Sequence, residues 1–169
     1  MKKIFLLLLS LFLISCSKNS HEEFKSLDEN ALSQKIIEFQ NNNETDKVID
    51  GINFFVDKYP KSEKTANYLK ILATIYAGNK KNFNQAITLY KKIIKQYPES
   101  KVAPDAYFAL GFIYSNELKD YNNAKLYYTE FINKFPDHEA IESAKFEVQY
   151  LGKSEEEILN SLQNNLSGQ

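Results

Sequence analysis

Apolar positions along the chain recur with a helical period. Asp46 to Pro60, Asn84 to Pro98 and Asn122 to Pro136 are fifteen-residue stretches that align without gaps, each ending in an aromatic-Pro pair: Tyr59-Pro60, Tyr97-Pro98, Phe135-Pro136. Val48, Ala86 and Ala124 coincide, as do Ile52, Tyr90 and Tyr128, and Val56, Ile94 and Ile132. Positions four apart share one face of a helix. A preceding helix carries Leu69, Leu72, Ala73 and Tyr76 in one copy and Tyr107, Leu110, Gly111 and Tyr114 in the next, spaced three, one and three. The pattern predicts helix-turn-helix pairs recurring every 38 residues.

The punctuation agrees with the period. Proline after each second helix (Pro98, Pro136) removes a donor and forces a stop. Ala73 or Gly111 on the first helix and Ala86 or Ala124 on the second let two backbones approach. Ser100 is expected to cap the third pair, with Pro104 in its first turn, and Asn82 and Asp120 to cap second helices.

The outer pairs fit less well. The first, Asp28 to Asn43 and Thr45 to Tyr59, lacks the signature residues on its leading helix but carries the stripe Leu32, Ile36, Phe39. In the last, Val148, Gln149 and Gly152 stand where Leu, Gly and Tyr stood. A final helix from Ser154 through Leu166 opens with the capping box Ser154-x-x-Glu157. Its Ile158, Leu159 and Leu162 are expected to cover the end of the stack, as capping repeats do, and Glu155, Glu156 and Glu157 to form a solvated first turn. Asn164 to Gln169 are expected to fray, with 167–169 a free tail. The fold class is all-α, a solenoid of three to four pairs over residues 28–166.

Composition supports helices: 5 Gly and 4 Pro in 169 residues leave few turns. The length suits one domain. A formal net charge of -1 gives no electrostatic reason for a nucleic-acid partner. Cys16 is the sole cysteine, so no intramolecular disulfide can form. Lys2 and Lys3 precede the apolar run Ile4 to Ile14, which is shorter than the roughly 20 residues a membrane-spanning helix needs. Residues 1–15 therefore read as a signal peptide that is removed. Leu13-Ile14-Ser15-Cys16 resembles the bacterial lipobox, which implies a diacylglyceryl group on Cys16. Residues 16–27 then form a tether, and Ser17, by resemblance to a sorting rule, implies a periplasm-facing outer-membrane location.

Little else carries chemistry. His21 and His138 have no companion ligands, no glycine-rich phosphate loop is present, and no serine sits in a nucleophile motif. No catalytic residue, metal or cofactor is assigned beyond the lipid, and an enzyme is not expected. The positions between the packing ones on each first helix face a groove: Asn67, Lys70 and Thr74; Asp105, Phe108, Phe112 and Asn116; Ser143, Phe146 and Tyr150. The aromatics among them fit either a partner groove or the core, because a lengthened linker can rotate a helix.

The run aromatic-x-x-Leu-Gly-x-x-Tyr, then Ala, an aromatic four later, and Pro is carried here by Tyr107, Leu110, Gly111, Tyr114, Ala124, Tyr128 and Pro136. It resembles the tetratricopeptide repeat, with Leu72, Ala73, Tyr76, Ala86, Tyr90 and Pro98 at the same places one copy earlier. That family's unit is 34 residues, so this chain has one extra residue in the turn inside the pair and three between pairs. With the lipobox, the whole is similar to the envelope tetratricopeptide lipoproteins, the BamD-like group of the barrel-assembly machinery and the YbgF-type repeat domain. This implies a membrane-anchored scaffold that holds a peptide or helix of another envelope protein, in outer-membrane assembly or division. A substrate-capturing lipoprotein feeding a transporter is the alternative.

Overall fold

The computed structural model describes residues 22–167, with side chains to Asn164; the expected signal peptide over 1–15, Cys16, His21 and the last two residues lie outside them. Among the described residues every regular element is helical. The elements are α1 (Glu29–Asn41), α2 (Thr45–Lys58), α3 (Thr65–Gly78), α4 (Phe83–Gln96), α5 (Ala103–Phe112) continued by a π turn (Ile113–Glu117), α6 (Tyr121–Lys134), α7 (Ile141–Tyr150) and α8 (Glu155–Ser167). Starts at 45, 83 and 121, and at 65, 103 and 141, keep the expected 38-residue period. α8 stays helical through Ser167, where fraying was expected. The helices gather into two compact units, one ending at Ile75 and one starting at Tyr76.

The linkers repeat as faithfully as the helices. Tyr59, Tyr97 and Phe135 close the second helices, each N–H donating to the carbonyl four residues back. Two successive turns follow. Ser62, Ser100 and His138 donate to Tyr59, Tyr97 and Phe135 at 3.0, 3.0 and 3.1 Å, then Thr65, Ala103 and Ile141 donate to Ser62, Ser100 and His138 at 3.1, 3.0 and 3.0 Å. The extra residues between pairs are thus built into paired turns that satisfy the backbone. Asn82 and Asp120 cap α4 and α6 as expected, accepting from Gln85 N and Asn123 N at 3.1 Å each. Ser100 does not cap α5: Val102 is its N-cap, Pro104 lies in the first turn, and Ser100 Oγ is buried with no partner. The linker turns take Ser100's N–H and carbonyl and leave its hydroxyl outside the helix.

Inside a pair, the turn depends on a left-handed residue. Asn43, Lys81 and Lys119 have φ of 57, 51 and 54°, an uncommon conformation for side chains other than Asn, Asp or Gly. They sit 38 residues apart, so one turn is used three times. In pairs two and three it is closed by Asn82 N donating to Tyr76 O and Asp120 N to Tyr114 O, both at 2.8 Å. In pair three the first helix reaches this turn through the π segment, whose wider i→i+5 bonds take up extra chain.

In the first unit the stripe Leu32, Ile36, Phe39 is buried as expected, and so are Ile52, Phe55 and Val56 of α2, which packs on α1. Gly51 permits the contact, since a Cβ there would lie 2.9 Å from Ile36 Cγ1. The tether expected over residues 16–27 does not include the docked segment from residue 22 on. Residues 22–25 are helical, and Phe24 is fully buried beside Phe39 and Phe54, at ring distances of 6.3 and 5.6 Å. Burying one Phe favours docking by about 1.5–3 kcal/mol. Lys58 Nζ secures the segment by donating to the carbonyls of Lys25 and Leu27 at 3.1 and 2.8 Å.

In the second unit α5 packs on α6 through Gly111 and Tyr128: a Cβ at Gly111 would meet the Tyr128 ring at 2.7 Å. Ala106, Leu110, Ala124, Tyr128, Phe131 and Ala144 are fully covered. The third buried position of each second helix is Phe55, Ile93 and Phe131, all 0% exposed, whereas Ile94 and Ile132 are only partly buried. Seven residues at 100° each return within about 20° of the first, while eight overshoot by about 80°. At the far end Ser154 and Glu157 form the expected box, Ser154 N donating to Glu157 Oε2 at 2.7 Å and Glu157 N to Ser154 Oγ at 3.2 Å. Leu159 and Leu162 do not cover the stack; they are 59% and 38% exposed.

Candidate functional site: three hollows of one design

Each left-handed turn opens onto a hollow walled by the start of a second helix and by the following first helix. The first unit holds one of about 320 Å³, lined by Gln40, Asn43, Thr45, Val48, Lys70, Ile71, Thr74 and Ile75. The second unit holds two more, of about 410 and 240 Å³. Adding 38 to every one of those numbers but that of Val48 gives Gly78, Lys81, Phe83, Phe108, Ala109, Phe112 and Ile113, all of which line the second hollow. Adding 38 again gives Asn116, Lys119, Tyr121, Phe146, Glu147, Tyr150 and Leu151, all of which line the third. The repeat generates the same concavity three times and fills it with different chemistry.

The expected groove residues fall into these hollows. Lys70 and Thr74 line the first, Phe108 and Phe112 the second, and Asn116, Phe146 and Tyr150 the third. Asn67, Asp105 and Ser143 line none of the three. The two placements open for the aromatics divide between them. Phe112 and Phe146 are each 46% exposed, as surface residues, while Tyr150 is only 6% exposed and forms wall rather than open surface. Phe108 does both, lining the second hollow while its ring rests on Tyr128 and Phe131 at 5.4 and 5.7 Å.

The hollows differ in kind. The first has a small polar rim of Gln40, Asn43 and Thr45. The second is floored by Ala77, Ala109 and Ile113 and edged by Lys81 and Glu117, an apolar seat for a side chain of a partner. The third places Glu147 where the others have Ile71 and Ala109. Burial holds that carboxyl above its ordinary range. The turn lysines and Glu147 are not among the sequence-derived candidates, and nothing in their residue types marks them.

Other polar clusters are structural. Lys91 Nζ donates to Tyr114 Oη at 3.0 Å, beside the stacked pair Tyr114–Tyr127 at 5.6 Å. This bond favours the protonated amine and raises its pKa above the usual range. His138 accepts from Ala140 N at 3.1 Å through Nδ1 and packs on Phe131, which makes it part of a linker turn.

This geometry defines the class of the molecule: among the described residues it is all-helical, with helix pairs in a tetratricopeptide-like repeat arrangement. Residues 71–100 and 105–138 match the family model described as tetratricopeptide repeat. Together they cover pairs two and three from within α3 through α6, the pairs that carry the signature most completely. No curated protein matches the chain. Tetratricopeptide repeats of this kind serve as protein-protein interaction scaffolds, typically without enzymatic activity.

Proposed function

We propose that the chain is a lipid-anchored scaffold of the bacterial envelope that seats an apolar segment of another envelope protein in the second hollow. The observation that carries this reading is the second hollow itself, with an apolar floor, a half-exposed Phe112 at its wall and one charge of each sign at its edge. Such a seat suits one large side chain of an extended or helical segment, with flanking polar contacts setting its register. Outer-membrane protein assembly is the favoured setting, as in the BamD-like group, with coordination of division and the envelope as the other.

The anchor is Cys16. Glu22 is six residues on, and six residues reach at most about 20 Å, so docking of Phe24 keeps the first unit close to the lipid. Cys16→Ala is expected to abolish acyl labelling and block removal of residues 1–15; retained labelling would overturn the anchor.

A photo-crosslinking residue at position 112 in the intact envelope tests the seat. A crosslinked outer-membrane barrel or division protein supports it, provided that a crosslinker at Ile37, which is 50% exposed elsewhere, does not yield the same product. An identical pattern from both positions would sink the assignment.

A further inference from the structure

The third hollow differs from its two counterparts in a way that specifies a ligand. It carries Glu147 in place of Ile71 and Ala109, and Lys153 besides Lys119, which stands where the second hollow has Lys81. Among the described residues none of Glu147, Lys119 and Lys153 is in a salt bridge. Lys153 Nζ lies over the Tyr150 ring at 5.2 Å, which orients it without neutralising it. Ser115, on the π turn, also lines the hollow. It is 8% exposed. π turns recur at functional positions.

We infer that the third hollow binds a small zwitterion of the α-amino-acid class, its ammonium held by Glu147 and its carboxylate by Lys119 and Lys153. A simple anion would face the Glu147 carboxylate, and a simple cation would face two ammonium groups. Only a ligand with both signs complements all three. The volume of about 240 Å³ lies just below the usual range for sites that take larger molecules. Phe146, Leu151 and Ile158 supply the apolar part of the wall, so an aliphatic side chain is preferred over an acidic one. Ser115 Oγ completes the polar contacts. This inference is independent of protein docking at the second hollow and uses none of its residues.

The test is calorimetric titration of the full chain with L-leucine, N-acetyl-L-leucine and L-leucinamide. Leucine is expected to bind with a dissociation constant of about 1 mM or lower, and blocking either end to weaken it by at least roughly tenfold. Glu147→Gln should lose leucine binding to the same degree, with its helical circular-dichroism signal intact, while Phe112→Ala should bind leucine as the parent does. No binding of leucine overturns the inference. So does equal binding of either blocked analogue, or parent-like affinity in Glu147→Gln. Failure here with a position-112 crosslink intact would leave the docking reading standing, and the converse would remove docking alone.

Discussion

The third and last pairs begin with helices of the same length and phase yet end differently. In the third, α5 runs on through a π turn and lies against α6 so closely that Gly111 has no room for a Cβ beside Tyr128. In the last, Gln149 occupies the place of Gly111, α7 stops at Tyr150, and Gly152 turns the chain at φ 76° against the Tyr121 ring. α8 then starts from its own capping box and leaves Leu159 and Leu162 exposed. In the third pair the residue without a side chain at the crossing point, Gly111, lets the second helix seal against the first, and the last pair has Gln149 there. The hollows follow a separate rule: their positions repeat but their residues do not.

Gly111→Ala tests the crossing most severely. The added methyl collides with the ring of a fully buried tyrosine, and overpacking typically costs about 1–3 kcal/mol even after allowing for the better helix propensity of alanine. We expect a loss of about 2 kcal/mol in denaturant unfolding. Gln149→Ala, at the equivalent exposed position of α7, should stay within about 0.5 kcal/mol. Equal losses from the two would break the distinction between the pairs.

Tyr128 offers a gain of smaller size. Its ring is fully buried and its hydroxyl has no partner, and its pKa is pushed up, mainly by burial and further by the Glu147 charge. Tyr128→Phe keeps the ring on Gly111 and removes an unsatisfied polar atom, so stability should rise by about 1 kcal/mol. A loss on the same scale would mean that the hydroxyl holds a water or ligand and that the pair is sealed by more than apolar contact.

These packing positions were largely legible in the sequence, and the hollows only in part. Leu110, Gly111, Ala124 and Tyr128 repeat because each must fit a neighbour of fixed shape, and shape constraint writes itself as residue type at fixed spacing. A spacing of four points to Ile94 and Ile132, but a helix comes closer to returning after seven residues, at Ile93 and Phe131. Phe24, a lone aromatic in a polar stretch, has no period of its own; its burial is set by neighbours far along the chain, Phe39 and Phe54. The hollows escaped a full reading for the opposite reason. Lys81 and Lys119 hold a glycine-like conformation without being glycine, and Glu147 stands at a position that is apolar in the other copies, so residue type gave no warning.

The smallest effects, and the most selective, lie in two glutamates of the last pair. Glu147 is held above the ordinary value of 4.5 by burial, so the folded state binds its proton more tightly than the unfolded chain does. The ionised form carries the penalty. That penalty is full above the folded value and vanishes below the ordinary one. Glu147→Gln should therefore be more stable than the parent near neutral pH, with the advantage shrinking as pH falls through that window. Glu157 has the opposite sign, its carboxylate lowered chiefly by the backbone N–H of Ser154. Its contribution is present above 4.5 and is lost as pH falls through the lowered folded value, so Glu157→Gln should be less stable at neutral pH and parent-like in acid. Denaturant midpoints measured from neutral to acid pH should diverge for the two variants in opposite directions at the neutral end and converge with the parent at the acid end. Parallel curves would mean that Glu147 is solvated like any surface carboxylate, and the chemical difference between the third hollow and the other two would then lose its basis.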